Sequence, residues 1–285
     1  MSRPPFAIRP LSGALGAEIA DVDLSKPLES EAFEAIHGAL LEHHVLVFRG
    51  QELSRPEQLD FARRFGEPEV HPIADGLPEH PEVIRVLKPA GEAAFFGTSW
   101  HTDNTFFERP TAATVLYGEK VPPVGGDTLF ASMTKAWETL SPPMQAFLEP
   151  LTAIHSAASA YDPKTTGDAK YKGEAAITYT YSDSIYDEVE HPVVRTHPES
   201  GRRALFVNPM FTQRIAGLHR NESDALLQLL YQHATRPELL CRVRWQPGTV
   251  TVWDNRCVQH YAIDDYADFE RVMYRVTVAG ERPQR

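Results

Sequence analysis

The triplet His101-Thr102-Asp103 is the first place in the chain where side-chain type and spacing point to chemistry. On an extended backbone, residues i and i+2 project to the same side. An imidazole and a carboxylate then stand next to each other, as two adjacent ligands of one metal ion do. Alone, such a triplet is more often a surface coincidence or a hydrogen-bonded pair. His260 shifts the balance. It follows the apolar run 249–253 and the polar turn Asp254-Asn255-Arg256, which places it at the end of a buried strand. Two imidazoles and one carboxylate leave three positions of an octahedron open, the ligand set of non-haem iron(II) oxygenases. Ca²⁺ would take oxygen alone; zinc on the same three residues stays open. Of the other histidines, His43, His44, His219 and His233 fall in helical patterns, and His155, His191 and His197 flank expected strands.

A second set of residues lies near the C-terminus, in Arg271-Val-Met-Tyr-Arg275-Val-Thr-Val. Its β-branched content favours a strand. With period two, Arg271, Met273, Arg275 and Thr277 share one face, while Val272, Tyr274, Val276 and Val278 share a core-like face. The arginines could simply face solvent. If they point inward, each needs an anionic partner, because unpaired buried charge is costly. A guanidinium fork binds carboxylate or sulfonate with two parallel hydrogen bonds. Thr128, which follows the turn Gly125-Gly126-Asp127, could donate to the anion that Arg271 holds.

The elements that must position these residues are short. Apolar periodicity predicts helices over 31–44, 55–65, 132–140, 142–148 and 221–235, the second opened by Ser54-Arg55-Pro56. Strands are predicted over 45–48, 83–87, 112–117, 128–130, 193–196, 204–207, 242–245, 249–253 and 272–278. Many short strands with a few helices point to a β-sandwich or barrel with helices outside it. The stretch 156–190, rich in Tyr, Asp, Lys and Gly, reads as a candidate active-site lid or a disordered loop.

Composition narrows the partners. A formal net charge of −11 argues against nucleic acid and anionic membrane surfaces. Cys241 and Cys257 do not make a disulfide framework, and they fit a reduced, cytoplasmic compartment. The polar, proline-rich start is unlike a signal peptide, and no apolar run reaches the length of a membrane span. The 285 residues read as a single domain.

Taken together, the chain resembles the taurine/2,4-D dioxygenase family of iron(II)/2-oxoglutarate enzymes. The resemblance runs from Pro10-Leu11-Ser12-Gly13-Ala14-Leu15-Gly16-Ala17-Glu18-Ile19 to the last strand. It is carried by Trp100-His101-Thr102-Asp103, Gly125-Gly126-Asp127-Thr128, Trp253-Asp254-Asn255-Arg256 with His260, and Arg271 with Arg275. It implies that His101, Asp103 and His260 hold Fe(II), and that Thr128 and Arg271 hold the distal carboxylate of 2-oxoglutarate. It also implies that Arg275 anchors an acidic group of the substrate. His71, in His71-Pro72, matches a substrate-binding histidine of the sulfonate branch, and Phe211 resembles an aromatic pocket residue. The family fold is a double-stranded β-helix (jelly roll, cupin-like), and homo-oligomers, dimers or tetramers, are usual. O₂ is the second cosubstrate, and an aspartate at 103 favours hydroxylation over halogenation. Ala74 stands where taurine-specific members carry tyrosine, and Gly97 where they carry asparagine. Both changes remove polar groups suited to a short amino-sulfonate. The segments 233–236 and 241–245 look rather like the aryloxyalkanoate dioxygenases.

These readings predict a mainly β domain that hydroxylates a C–H next to a heteroatom in a small anionic molecule, a sulfonate or sulfate ester. An aryloxyalkanoate (phenoxy-acid) substrate is the alternative. A non-catalytic jelly-roll protein that binds metal or anion, and a zinc hydrolase, are the alternatives from other classes.

Overall fold

The computed structural model describes residues 6–71, 74–92, 97–162 and 183–285. The chain begins with β1 (Ala7–Pro10), β2 (Ala17–Ala20), α1 (Ser30–His43), β3 (Val45–Phe48), α2 (Arg55–Arg63) and β4 (Val83–Lys88). Next come β5 (Ala113–Lys120), β6 (Thr128–Ser132), α3 (Met133–Glu138), α4 (Pro142–Leu148), β7 (Thr152–His155) and α5 (Ala158–Tyr161). It continues through β8 (Val189–Pro192), β9 (Val194–Thr196), β10 (Arg203–Leu205), β11 (Thr212–Ile215) and α6 (Arg220–Ala234). It ends with β12 (Leu240–Val243), β13 (Thr249–Asp254), β14 (Val258–Ala262) and β15 (Arg271–Val278).

Seven strands form the main sheet in the order β1-β2-β3-β13-β5-β15-β4. Across from it lies a three-stranded sheet, β12-β6-β14, and the strands β11-β7-β8 and β10-β9 add two smaller ones. Alternation along β3 shows how the main sheet is used. Val45 and Val47 join Trp253 in the core between sheets, where they meet Phe130 and Val258 of the small sheet. Leu46 and Phe48 point the other way, into a second core closed by Ile36, Ala39 and Leu40 of α1 and Leu59, Phe61 and Ala62 of α2. Period-two strands with both faces apolar are buried on both sides. Two facing sheets with helices outside the larger one make the predicted jelly roll.

The helix signals hold. Ser54 caps α2, exchanging hydrogen bonds with Glu57 in a capping box, with Pro56 in the first turn. His44 ends α1 in the left-handed region, φ 64°, and turns the chain into β3. Several strands lie outside the predicted set: β1, β2, β7, β8, β11 and β14. They are short and mixed in polarity, as in Val-Glu-His-Pro (β8) and Thr-Gln-Arg-Ile (β11), so no periodic pattern announces them. Of the segment 156–190, residues 163–182 lie outside the described residues. The flanking parts form α5, a 3₁₀ turn at Asp183–Tyr186 and β8.

Leu40 is fully buried where α1 meets the main sheet. Leu40→Ala should lower unfolding free energy by about 2–5 kcal/mol, the usual cost of a core leucine. Urea denaturation measures this, and a loss under about 1 kcal/mol would mean that the helix layer closes over the gap.

Candidate active site

His101 and His260 meet through the backbone. They form an isolated antiparallel bridge, His101 N–H to His260 C=O at 3.1 Å and His260 N–H to His101 C=O at 2.8 Å. Their rings lie side by side with centroids 4.1 Å apart. This corrects two expectations. His101 and Asp103 do not share a regular strand, since Asp103 sits in a turn. His260 does not end the run 249–253 but lies within its own strand, β14. The bridge gives what the i, i+2 argument sought by another route. Nε2 of each ring stands 3.7 Å from Asp103 Oδ1.

Tautomers follow from the partners. His101 Nδ1 faces the Ser99 carbonyl at 2.8 Å, so it carries the hydrogen and leaves the Nε2 lone pair toward Asp103. Burial pushes both rings below the ordinary histidine value, His260 far below. Neutral imidazoles are the form that binds metals. For Asp103 burial opposes the charged form. The Arg275 guanidinium, with the hydrogen bond from the Thr114 hydroxyl, outweighs it and holds the carboxyl well below its usual range. Donor atoms of His101, Asp103 and His260 all lie within 4.8 Å of one another, and all three residues are buried. Two neutral imidazoles and an ionised carboxylate fit an iron(II) site.

Asp103 is gripped from three sides. Thr114 of β5 donates to Oδ2 at 2.7 Å. Asn255, in the turn between β13 and β14, accepts from the Asp103 N–H at 3.3 Å and donates to Thr114 Oγ1 at 2.9 Å. Arg275 Nη2 lies 2.8 Å from Oδ1; the contact is a charge pair without hydrogen-bond alignment. A second cluster, His197, Asp254 and Cys257, also brings potential metal ligands together. Its acceptors are already used. Arg256 donates Nε and Nη2 to the two oxygens of Asp254 at 2.8 and 2.7 Å, and His197 adds a third contact at 2.9 Å. Burial pushes the Cys257 thiol well above its ordinary value, away from a ligating thiolate. This cluster braces the turn that carries Asn255.

β15 presents its arginines as the alternation predicts. Arg271, Met273 and Arg275 face the cavity, and Val276 and Val278 enter the core under the helices. Arg271 is buried between the rings of Trp245 and Tyr266, 5.6 and 5.8 Å from its guanidinium carbon. Burial lowers its pKa from the ordinary value. Among the described residues no carboxylate lies within ion-pair distance of it. Beside it the Trp245 indole donates to Thr128 Oγ1 at 2.9 Å, so the Thr128 hydrogen is free to point into the cavity. Gly125 and Gly126, both at positive φ, make the turn that delivers Thr128. A side chain at 125 would run into Asp265, whose Oδ1 accepts the Gly126 N–H at 2.7 Å. A buried cation beside a free hydroxyl donor calls for an anion that the described residues do not supply.

The cavity itself is largely apolar. Val86, Leu116, Tyr161, Met210, Phe211 and Met273 line it along with the metal set and the arginines. Phe211 falls where the sequence placed it, edge-on to His101 at 6.2 Å. Gly97 also lines it, at φ +70°, with space for a Cβ only 3.3 Å from that of Ala262. Ala74 is packed against Ile84 and Val86, behind the wall. His71 is not among the described lining residues. It stands behind Asn104, its Nε2 3.1 Å from Asn104 Oδ1. Burial and the nearby Arg275 push its ring down to about 4, so it stands behind Asn104 as a neutral group.

With this geometry in place, the comparisons are specific. The family model described as taurine catabolism dioxygenase TauD, TfdA family matches residues 7–277. The chain belongs to that family. It is a 2-oxoglutarate-dependent dioxygenase by class. It is 39% identical over 276 residues, 96% of this chain and 85% of the other, to an alkylsulfatase of Acinetobacter baylyi. It is also 39% identical over 281 residues to an α-ketoglutarate-dependent sulfate ester dioxygenase of Pseudomonas putida, covering 97% and 90% of the two chains. The crystal structure of a taurine dioxygenase from Burkholderia xenovorans superposes with a TM-score of 0.82 at 37% identity, over 98% of this chain and 93% of that one.

Within this family site, sequence reasoning missed the residues that hold the others. Trp253 and Asn255 stand in the stretch Trp253-Asp254-Asn255-Arg256 with nothing local to mark their role, and Trp245 ends the predicted strand 242–245. Thr114, inside the predicted strand 112–117, reads as a strand threonine chosen for β-propensity, and Tyr266 lies in a stretch with no periodic pattern. Trp245→Phe keeps a ring beside Arg271 and removes the indole N–H. Affinity for 2-oxoglutarate should fall by about 0.5–1.5 kcal/mol, one hydrogen bond's worth. Calorimetric titration reads this, and unchanged affinity would show that Thr128 is aimed without the indole.

Proposed function

We propose that this chain oxidises small sulfate esters, or the related sulfonates, at the carbon next to the acidic group. Fe(II) would be held by His101, Asp103 and His260. The distal carboxylate of 2-oxoglutarate would rest on Arg271 and Thr128, and the substrate's anion on Arg275. One observation carries the reading: a buried His-Asp-His set and two arginines from one strand face open on a single cavity whose other walls are largely apolar. The relatives named for sulfate esters favour that anion over a carboxylate. The apolar walls, with Gly97 adding no side chain, favour an alkyl tail over the amine of a short amino-sulfonate.

Iron(II) with 2-oxoglutarate and O₂ supplies the oxidising power that turns a substrate C–H into C–OH. The chain supplies position. Arg271, fixed between Trp245 and Tyr266, and Arg275, fixed by its strand, set two anions at separate points along β15. Asp103 stays ionised and both imidazoles stay neutral because of their surroundings, so no proton has to leave before the site is ready. Phe211, Met210 and Leu116 keep water from the reacting carbon. A carbon carrying both hydroxyl and sulfate then loses the hydroxyl proton and breaks its bond to the sulfate oxygen, giving an aldehyde and sulfate. His71, neutral and held by Asn104, is a neighbour of this anion site and not a second cation for it.

Succinate release, with iron(II) and ascorbate present, tests the reading across alkyl sulfates, alkylsulfonates, taurine and aryloxyalkanoates. Alkyl sulfates should give the largest rate. Turnover of aryloxyalkanoates alone would reverse the substrate assignment, and succinate from none of them would remove it. His101→Ala should abolish release, and normal turnover by that variant would sink the metal assignment. Arg275→Ala should cost the substrate about 2–5 kcal/mol of binding, the scale of a broken buried charge contact, while KM for 2-oxoglutarate changes little. A larger effect on 2-oxoglutarate than on substrate would mean that the two arginines exchange roles.

A further inference from the structure

We infer that Thr114, aimed by Asn255, keeps Asp103 a one-oxygen ligand and so reserves open metal positions for 2-oxoglutarate and O₂. This rests on the function proposed above. The direction of each hydrogen in the chain of contacts is determined. Trp253 Nε1 can only donate, and it donates to Asn255 Oδ1 at 3.0 Å. The Asp103 N–H approaches the same oxygen at 3.3 Å. The amide is therefore fixed with Nδ2 toward Thr114 Oγ1, to which it donates at 2.9 Å. That nitrogen accepts nothing, so the single hydroxyl hydrogen of Thr114 is left for Asp103 Oδ2, 2.7 Å away. Asp103, Thr114, Trp253 and Asn255 are all buried, so no water offers Oδ2 an easy substitute.

The two oxygens of Asp103 are thereby made different. Oδ2 is capped. Oδ1 is the atom that stands 3.7 Å from both His101 Nε2 and His260 Nε2. Arg275 Nη2 lies 2.8 Å from Oδ1 as a charge contact without hydrogen-bond alignment, so it uses neither lone pair of that oxygen. Carboxylates bind hard divalent ions through one oxygen or two. Held through one oxygen, Asp103 would leave room at the metal for 2-oxoglutarate and O₂; held through both, it would take up part of that room. Thr114 and Asn255 are positioning residues in this scheme, since neither touches substrate or metal.

Thr114→Val keeps the shape and the strand preference and removes the hydroxyl, and Thr114→Ser restores it. Each protein is loaded with Mn(II), its metal affinity measured, and then titrated with 2-oxoglutarate in a calorimeter without O₂. Thr114→Val should hold Mn(II) within about threefold of the unmutated chain, or more tightly. Its 2-oxoglutarate affinity should fall by about tenfold or more, equivalent to about 1.4 kcal/mol. Thr114→Ser should stay within about threefold on both measures. Asn255→Ala, which frees the hydroxyl to rotate, should weaken 2-oxoglutarate in the same sense and carries the comparison if Thr114→Val does not fold. Equal 2-oxoglutarate affinity in Thr114→Val and the unmutated chain overturns the inference. So does a parallel loss of metal and 2-oxoglutarate affinity, which a merely structural threonine predicts. If the unmutated Mn(II) protein takes up no 2-oxoglutarate, the functional proposal falls and this inference falls with it.

Discussion

A carboxylate taken fully out of water must be met by donors and positive charge, and Asp103 is such a carboxylate. The site can be read as the answer to that demand. One oxygen receives a hydroxyl hydrogen from β5, and the other faces a guanidinium from β15 and two neutral imidazoles. Each of these groups comes from a different part of the chain. The main sheet and the small sheet have to close on each other for the charge to be tolerated at all.

The same logic separates the two buried clusters. At His197, Asp254 and Cys257 the negative charge is met within the protein, by Arg256 and a histidine N–H. Glu199, bonded to Arg256 at 2.6 Å, extends that network toward the surface. Nothing is left for a ligand to do there, and the cluster serves as a rivet for the turn between β13 and β14. At the cavity the balance is incomplete. Arg271 is buried with no carboxylate of the described residues in reach, and His101 turns its Nε2 lone pair toward the cavity beside the neutral ring of His260. A closed network contributes rigidity, whereas an incomplete one makes a binding site. Their adjacency, through Asp254 and Asn255, lets the first hold the second in shape.

Register is the quantity that converts strands into this site. Trp253 lies opposite Thr114 across β13 and β5, which brings the Asn255 amide within reach of the threonine hydroxyl. Thr128 lies opposite both Val243 of β12 and Ala262 of β14. From Val243 the chain needs only two more residues to set Trp245 against the Thr128 oxygen. A shift of one residue in either pairing would turn these side chains to the other face. The apolar alternation of β3, β5 and β13 fixes the register, because a slip would expose the core under the helices.

The sequence picked out the candidate site residues. His101 and Asp103 were legible as a local triplet and Arg271 and Arg275 as one strand face, whereas His260, far off in the chain, joined them by residue type alone. The alternation of β15 assigned both arginines to one face correctly. The jelly roll was legible from many short strands, although β7, β8 and β11 were too short and polar to see. Tertiary structure alone decided how the groups are held. His101 reaches His260 by a backbone bridge across more than half the chain, and Thr114, Asn255 and Trp245 act only through strand pairings. A hydrogen bond between remote strands leaves no periodic trace in either, so folding has to bring the two polar residues together before their partnership exists.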